Sequence, residues 1–341
     1  MKAVGYAGTG GVEVLKNIEL PEREPERGEV RVRVARSGVN PTDWKSREGN
    51  LRTPIPEGRF QVPHQDGAGI VDAVGEDVDP ALLGQRVWLW LAAYQRLDGT
   101  AGEFATLPAG FVEPLPDSAS FDLGASLGVP FMTAHRALTV HEGGPKRLAP
   151  GTLDGVTILV AGGAGAVGNA AIQLGRWAGA TVITTVSGPE KAKLAEAAGA
   201  HHVLNYREQD IAAEVRRINP DGVSTVVEVS PAANAGLNEA VLANNGVIAI
   251  YANNGGDSFS VPVRPFMTAN AHLHFLLLYT VPPAAQRDAA ESINQALRED
   301  AIHVGEQAGL PLHHFPLDDV AGAHTAVRDG AVGKVLIDVR D

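Results

Sequence analysis

The sequence predicts an α/β protein: a β-rich unit, expected to be a partly open barrel, followed by a doubly wound parallel sheet. Three observations carry this. The 341 residues are 44 % hydrophobic and 20 % charged with 39 glycines, a balance suited to two globular domains with real cores. Short runs of period two fill residues 1–125, broken by Gly and Pro. From about Leu153 strands alternate with helices, the rhythm of a parallel sheet covered on both faces.

In the first stretch, "EVRVRVARSG" sets Val30, Val32 and Val34 against Arg31 and Arg33, so one face is dry and one wet. "AGIVDAVG", "RVWLWL" and "GEFATLP" read the same way and complete the barrel. In the second stretch "VTILVAG", "ATVITTVS", "HHVLN", "GVSTVVEVS" and "GVIAIY" are strands. Between them "AVGNAAIQLGRWAG", "PEKAKLAEAAG", "REQDIAAEVRRIN" and "AANAGLNEAVLAN" have helical spacing. "AHLHFLLLY" adds a sixth strand at an edge. The tail holds a long helix, "AAQRDAAESINQALRED", a short strand near "LHHF", a helix and a last strand, "GKVLIDV". It is expected to return to the first domain. The expected division is therefore 1–125 with 265–341, and 126–264.

Net charge is −12, which opposes nonspecific binding to nucleic acid or anionic lipid. There is no cysteine, so disulfides, thiolate nucleophiles and thiolate metal sites are excluded. No stretch has the length of a membrane span, and the N-terminus lacks a signal peptide's apolar core, so a cytoplasmic address is expected.

"ILVAGGAGAVGNAA" places Gly163-x-Gly165-x-x-Gly168 between a strand and a helix. Gly163 permits the tight turn, Gly165 lets the backbone approach a pyrophosphate, and Gly168 allows close helix packing. Ala166 and Val167 open the helix whose N-terminus favours phosphate. The bland alternative is a structural turn. The next strand ends in "TTVSGPEK", with Ser187 and Gly188 where an NAD site usually carries a carboxylate. Ser187 can donate to a 2′-phosphate and Lys191 can neutralise it, which points to NADPH; otherwise Lys191 is a solvated helix residue.

These residues resemble the medium-chain dehydrogenase/reductase superfamily, in its zinc-free quinone oxidoreductase (ζ-crystallin-like) branch. The resemblance runs nearly end to end, through "SGVNPTDWKSREG", "PHQDGAGIVDAVGEDV", "GASLGVPFMTAHRAL", "ILVAGGAGAVGNAAIQLGRWAGA", "GAHHVLNYRE" and "GKVLIDV". It implies a Rossmann-type sheet with a GroES-like barrel. Zinc alcohol dehydrogenases of the superfamily carry "GVCHTD" where this chain has "GVNPTD", so Asn40 replaces a thiolate ligand. Their second ligand, in "GHE", falls on Gln65 of "PHQDGAG". Amides are poor zinc ligands, and His64, one position away, is expected to be a packing or surface histidine. No metal is therefore expected.

The resemblance further implies that Asn40 lies beside the nicotinamide and substrate. Lys45 stands where quinone reductases of the family have an active-site tyrosine, and similar "DWK" sequences occur in enone- and enoyl-reducing relatives; its alternative is a solvated loop residue. Asp43 is expected to be a structural partner in the loop. Tyr206 matches a tyrosine flanking the adenosine phosphate, Thr133 a residue near the cofactor groove, Tyr251 a position near the nicotinamide, and Lys334 a lysine near the cofactor. Packing, helix-capping or surface roles are the alternatives. His272 and His274 share one face of a strand, but two ligands do not make a zinc site. The apolar edge at 272–279 is expected to pair with its twin in a homodimer.

The function expected is NADPH-dependent, metal-free reduction of conjugated carbonyls, quinones first. The alternatives are enone or trans-enoyl-thioester reduction, and NADPH binding with little turnover. The expected substrate is a small molecule, held with the nicotinamide between the domains. Loops such as "LRTPIPEGRFQ" are expected to shape its pocket.

Overall fold

The computed structural model describes residues 1–50 and 54–340. Residues 51–53, the start of the loop expected to shape the substrate pocket, lie outside the described residues. The chain forms two compact units, Met1–Val129 with Leu312–Asp341, and Pro130–Pro311. This differs from the expected division at the C-terminal side: 265–311 belongs to the second unit, and the return to the first begins only at Leu312.

In chain order the elements begin with β1 (Lys2–Gly5), β2 (Lys16–Glu19), β3 (Glu29–Val39), α1 (Pro41–Lys45) and β4 (Asp66–Val74). There follow β5 (Arg86–Leu89), β6 (Phe104–Pro108), β7 (Val112–Pro114) and α2 (Phe121–Leu138). Next come β8 (Thr157–Ala161), α3 (Ala166–Trp177), β9 (Thr181–Val186), α4 (Pro189–Ala197), β10 (His202–Asn205) and α5 (Ile211–Ile218). The second unit continues with β11 (Val223–Glu228), α6 (Pro231–Val241), β12 (Leu242–Ile250), α7 (Val263–Thr268), β13 (His272–Phe275) and α8 (Pro283–Arg298). The chain closes with β14 (Leu312–Pro316), α9 (Val320–Arg328) and β15 (Lys334–Asp338).

In the first unit the sheet order is β14-β15-β3-β4-β5-β7, with β6 also on β3. One edge of β3 is shared, β6 pairing its first half and β15 its last, and two register shifts against β4 bend it. Val30, Val32 and Val34 are fully buried with Val71, Leu89 and Leu107, as the alternation predicts. The wet face carries Arg31, whose guanidinium pairs with Asp72. This is the partly open GroES-like barrel.

In the second unit six parallel strands follow the order β10-β9-β8-β11-β12-β13, the doubly wound Rossmann arrangement. The continuous apolar strands dictate it: Leu159, Ile183, Val226 and Ile248 are buried within one cluster. The sixth strand extends it in register, Val247 opposite His272 and Ile250 opposite Phe275. It is shorter than the apolar run suggests, because the chain leaves the sheet after Phe275. The long helix α8 explains the shifted boundary. Its Ala289, Ala290, Ile293, Ala296 and Leu297 are buried at helical spacing, and its Ser292 hydroxyl bonds His135 and Leu148, all within this unit. No helix among the described residues is long and apolar enough to cross a membrane.

Candidate active site

The phosphate cradle of the second unit is built almost wholly from backbone. A Cβ on Gly163 would lie 2.2 Å from Thr184 Oγ1, and one on Gly168 2.3 Å from the Gly162 carbonyl, so neither position tolerates a side chain without a shift. A Cβ on Gly165 would meet nothing nearer than 3.5 Å; that face is open for a ligand to approach. Gly165 caps α3 without a side-chain hydrogen bond, which leaves the N–H groups of Ala166, Val167 and Gly168 aimed outward. This geometry fits a pyrophosphate at a helix N-terminus.

At the ends of the neighbouring strands, Ser187 directly follows β9 and Lys191 lies in the first turn of α4. Tyr206 N–H donates to the Val186 carbonyl at 3.1 Å, which brings its backbone to the residue before Ser187, and the residue is 53 % exposed. Among the described residues Lys191 pairs with no carboxylate, and nearby Glu190 is engaged by Lys193 at 3.2 Å. Three of the expected cofactor residues thus gather at one place.

The first unit supplies a different kind of site. Asn40 ends β3 and caps α1, its N–H donating to Asp43 Oδ2 at 2.7 Å; Asp43 is the structural loop partner expected. The Asn40 amide is engaged at both ends. Its Nδ2 donates to Asp66 Oδ2 at 2.7 Å, and its Oδ1 accepts from Lys334 Nζ at 2.8 Å. Lys334 also donates to Asp66 Oδ2 at 3.3 Å, while Asp66 Oδ1 accepts from Val129 N–H at 2.8 Å. All four side chains are buried, Lys334 being only 2 % exposed. Two carboxyls therefore share one ammonium in a dry interior. Burial pushes both carboxyls up, Lys334 opposing the rise, and burial pushes the ammonium down against the pull of the same carboxylates. Sequence reasoning singled out Asn40 and Lys334 separately; that they touch across the chain was not readable from either motif.

His64 takes the packing role of the two expected for it. Its backbone is left-handed, φ 79°, and it is fully buried. Proton counting fixes its state. Thr100 Oγ1 donates to the Asp66 carbonyl at 2.6 Å, so Ser37 must donate to Thr100, and His64 Nδ1–H to Ser37 at 2.8 Å. His64 Nε2 then accepts from His324 Nε2–H at 2.9 Å, leaving His324 Nδ1 buried without a partner. Burial, reinforced by Arg47, pushes His324 down to about 3.

The remaining expected residues are dispersed. Lys45 ends α1 with its ammonium 5.7 Å from the centroid of the Trp44 ring, outside the Asn40 cluster. Thr133 is buried in α2. Tyr251 follows β12, its N–H donating to the Glu228 carbonyl at 3.1 Å, and burial together with the Glu228 carboxylate pushes its phenol up. Glu228 itself was missed. Fully buried at the end of β11, it accepts from Ser230 N–H at 2.6 Å, Asn234 Nδ2 at 3.0 Å and Asn238 Nδ2 at 2.7 Å. The only sequence signal was a pair of asparagines four apart on the following helix. His272, on β13, lies 3.4 Å from Glu142, and no three His, Asp or Glu among the described residues are grouped to hold a metal.

Comparison with known proteins follows this division. Residues 26–117 match the alcohol dehydrogenase GroES-like domain, and 166–295 the family described as zinc-binding dehydrogenase. Mouse quinone oxidoreductase is 30 % identical over 349 residues, covering 99 % of this chain and 97 % of that one. A mycobacterial protein solved in complex with NADPH is 30 % identical with a TM-score of 0.81, covering 99 % of both chains. An NAD-dependent alcohol dehydrogenase superposes with a TM-score of 0.84 at 27 % identity over 100 % of both. The chain belongs to the medium-chain dehydrogenase/reductase superfamily, in its quinone oxidoreductase, ζ-crystallin-like branch.

Proposed function

We propose that this chain is an NADPH-dependent, metal-free reductase of conjugated carbonyls, with quinones as its first acceptor class. The observation that carries the reading is the Asn40 amide, engaged at both ends where zinc relatives place a thiolate ligand. A catalytic zinc does not fit this donor set. Asn40 Oδ1 already accepts from an ammonium, which would repel a dication, and Gln65 offers an amide where imidazole is needed. Polarisation of the acceptor then falls to hydrogen bonds, which suffices for acceptors that delocalise the arriving charge themselves.

When bound, NADPH supplies a hydride, and the quinone takes up one proton from water to leave as hydroquinone beside NADP⁺. The chain's own groups do the rest. Gly163, Gly165 and Gly168, with the N–H groups of Ala166 and Val167, hold the pyrophosphate. Ser187 donates to the 2′-phosphate, Lys191 neutralises it, and Tyr206 stacks beside the adenosine. Asp66 and Lys334 fix the plane of Asn40, so that its second amide N–H is held ready for ring and substrate. Lys45 stabilises negative charge developing on the acceptor oxygen. Thr133 and Tyr251 line the cofactor's path in this reading, and Lys334 acts through Asn40. The reading also includes a cytoplasmic homodimer formed through β13, whose Phe275 is 66 % exposed, as Met267 and Val263 of α7 are exposed.

The test is steady-state consumption of NADPH with 1,4-benzoquinone, 9,10-phenanthrenequinone, simple enones, crotonyl thioesters and secondary alcohols, with and without chelator. Quinones turning over fastest, unaffected by chelator, is the expected result. Loss of activity on chelation, or secondary alcohols as the best substrates, overturns it. Faster turnover of thioesters selects the enoyl-reductase alternative, and NADPH binding without consumption the non-catalytic one.

A further inference from the structure

Gln65 sits between two residues whose side chains are committed: His64 to Ser37 and His324, Asp66 to Asn40, Lys334 and Val129. Its own backbone is fixed too, the carbonyl accepting from Ala92 N–H at 3.0 Å. Its side-chain amide makes no hydrogen bond with any described residue. Oε1 is buried without a donor, and the residue is 9 % exposed. Buried amide oxygens are nearly always paired, because stripping water from them without replacement is costly. One left bare beside a rigid polar cluster is free to take its partner from a bound ligand. Asn40 lies in the same cluster, but its amide oxygen and one amide N–H are already taken.

Resting on the reading given under Proposed function, we propose that Gln65 hydrogen-bonds the acceptor's oxygen, whose developing charge Lys45 also stabilises. Quinone reduction changes what that oxygen offers. Before hydride transfer it is a carbonyl and only accepts; afterwards it is a hydroxyl and also donates. A primary amide serves both states, Nε2–H donating to the carbonyl and Oε1 accepting from the hydroxyl after rotation about its last torsion. An enoyl thioester starts and finishes as a carbonyl and has no lasting use for the Oε1 acceptor. Gln65 therefore favours acceptors whose oxygen leaves as O–H, which deepens the quinone assignment.

The experiment compares the wild type with Gln65→Met, of similar volume without the amide, and Gln65→Glu, which keeps an acceptor but loses the N–H. Three readouts are taken: kcat/KM for 1,4-benzoquinone, the NADPH dissociation constant by fluorescence quenching, and the melting temperature of the ligand-free protein. Both variants are expected to lose roughly 10- to 100-fold in kcat/KM. NADPH affinity is expected to stay unchanged, and the melting temperature of Gln65→Met to hold or rise, because an unpaired buried oxygen has been removed. Unchanged kcat/KM in Gln65→Met overturns the inference. So does a loss confined to NADPH affinity, or a fall in melting temperature of several degrees, which marks a structural role. Absence of turnover in the wild type itself would strike the parent reading instead.

Discussion

In the second unit the cradle proposed for phosphate lies within Gly163 to Gly168, while in the first unit Asn40 meets a lysine 294 positions away. The cradle works through backbone N–H groups and the lack of side chains, so a motif of six residues specifies it. The barrel cluster works through charged side chains that meet only after a sheet has closed, with β15 antiparallel to β3 and β3 to β4. Local chemistry tolerates a local vocabulary; a buried ion cluster depends on the whole fold, and on each of its members.

That difference is sharpest at Lys334. Replacing it by Met leaves Asp43 and Asp66 buried with no cation, and the unfolding free energy should fall by about 3–5 kcal/mol in urea titrations. The loss should grow from pH 5 to pH 8, because each buried carboxyl must then hold a proton that the unfolded chain releases. A change near zero would mean that the cluster is not a charged unit.

On the cradle side, Ser187→Asp should leave stability intact and turn the cofactor ratio, NADPH over NADH, by about 100-fold in kcat/KM through repulsion of the 2′-phosphate. An unmoved ratio would refute the assignment of Ser187.

A smaller effect separates the histidine pair from the surrounding carboxylates. His324 titrates at 6.5 when unfolded and is held at about 3 when folded, so below pH 6.5 the unfolded chain gains a proton that the folded one refuses. Stability at this residue is therefore lost as pH falls, by up to about 1.4 kcal/mol per pH unit. His324→Gln should flatten the acid limb of the stability curve by that amount. An unchanged slope between pH 6 and pH 4 would show that this ring is not neutral inside.

The same contrast explains what the sequence made legible. Six parallel strands and the glycine turn that opens α3 follow from periodicity and spacing, which act over a few residues. The extent of the second unit was misjudged because α8 presents an ordinary amphipathic pattern; nothing in such a stripe tells which core receives it. His64 packs as one of its two expected roles allowed, but it adopts a left-handed backbone that its neighbours Pro63 and Gln65 do not announce. Gln65 was noted only as a lost ligand. Whether a buried amide is paired depends on residues brought to it by the fold, and no motif encodes that.

The placement of β15 has a consequence for biogenesis. During synthesis β3 and β4 leave the ribosome early, but the strand that covers the second half of β3 comes near the end of the chain, and the lysine that balances Asp66 arrives 268 residues after it. The second unit has no such debt, since all six of its strands are contiguous in the chain. The first unit is therefore the last to reach its final state, and a nascent chain spends most of its translation with the second half of β3 open along one edge to mispairing.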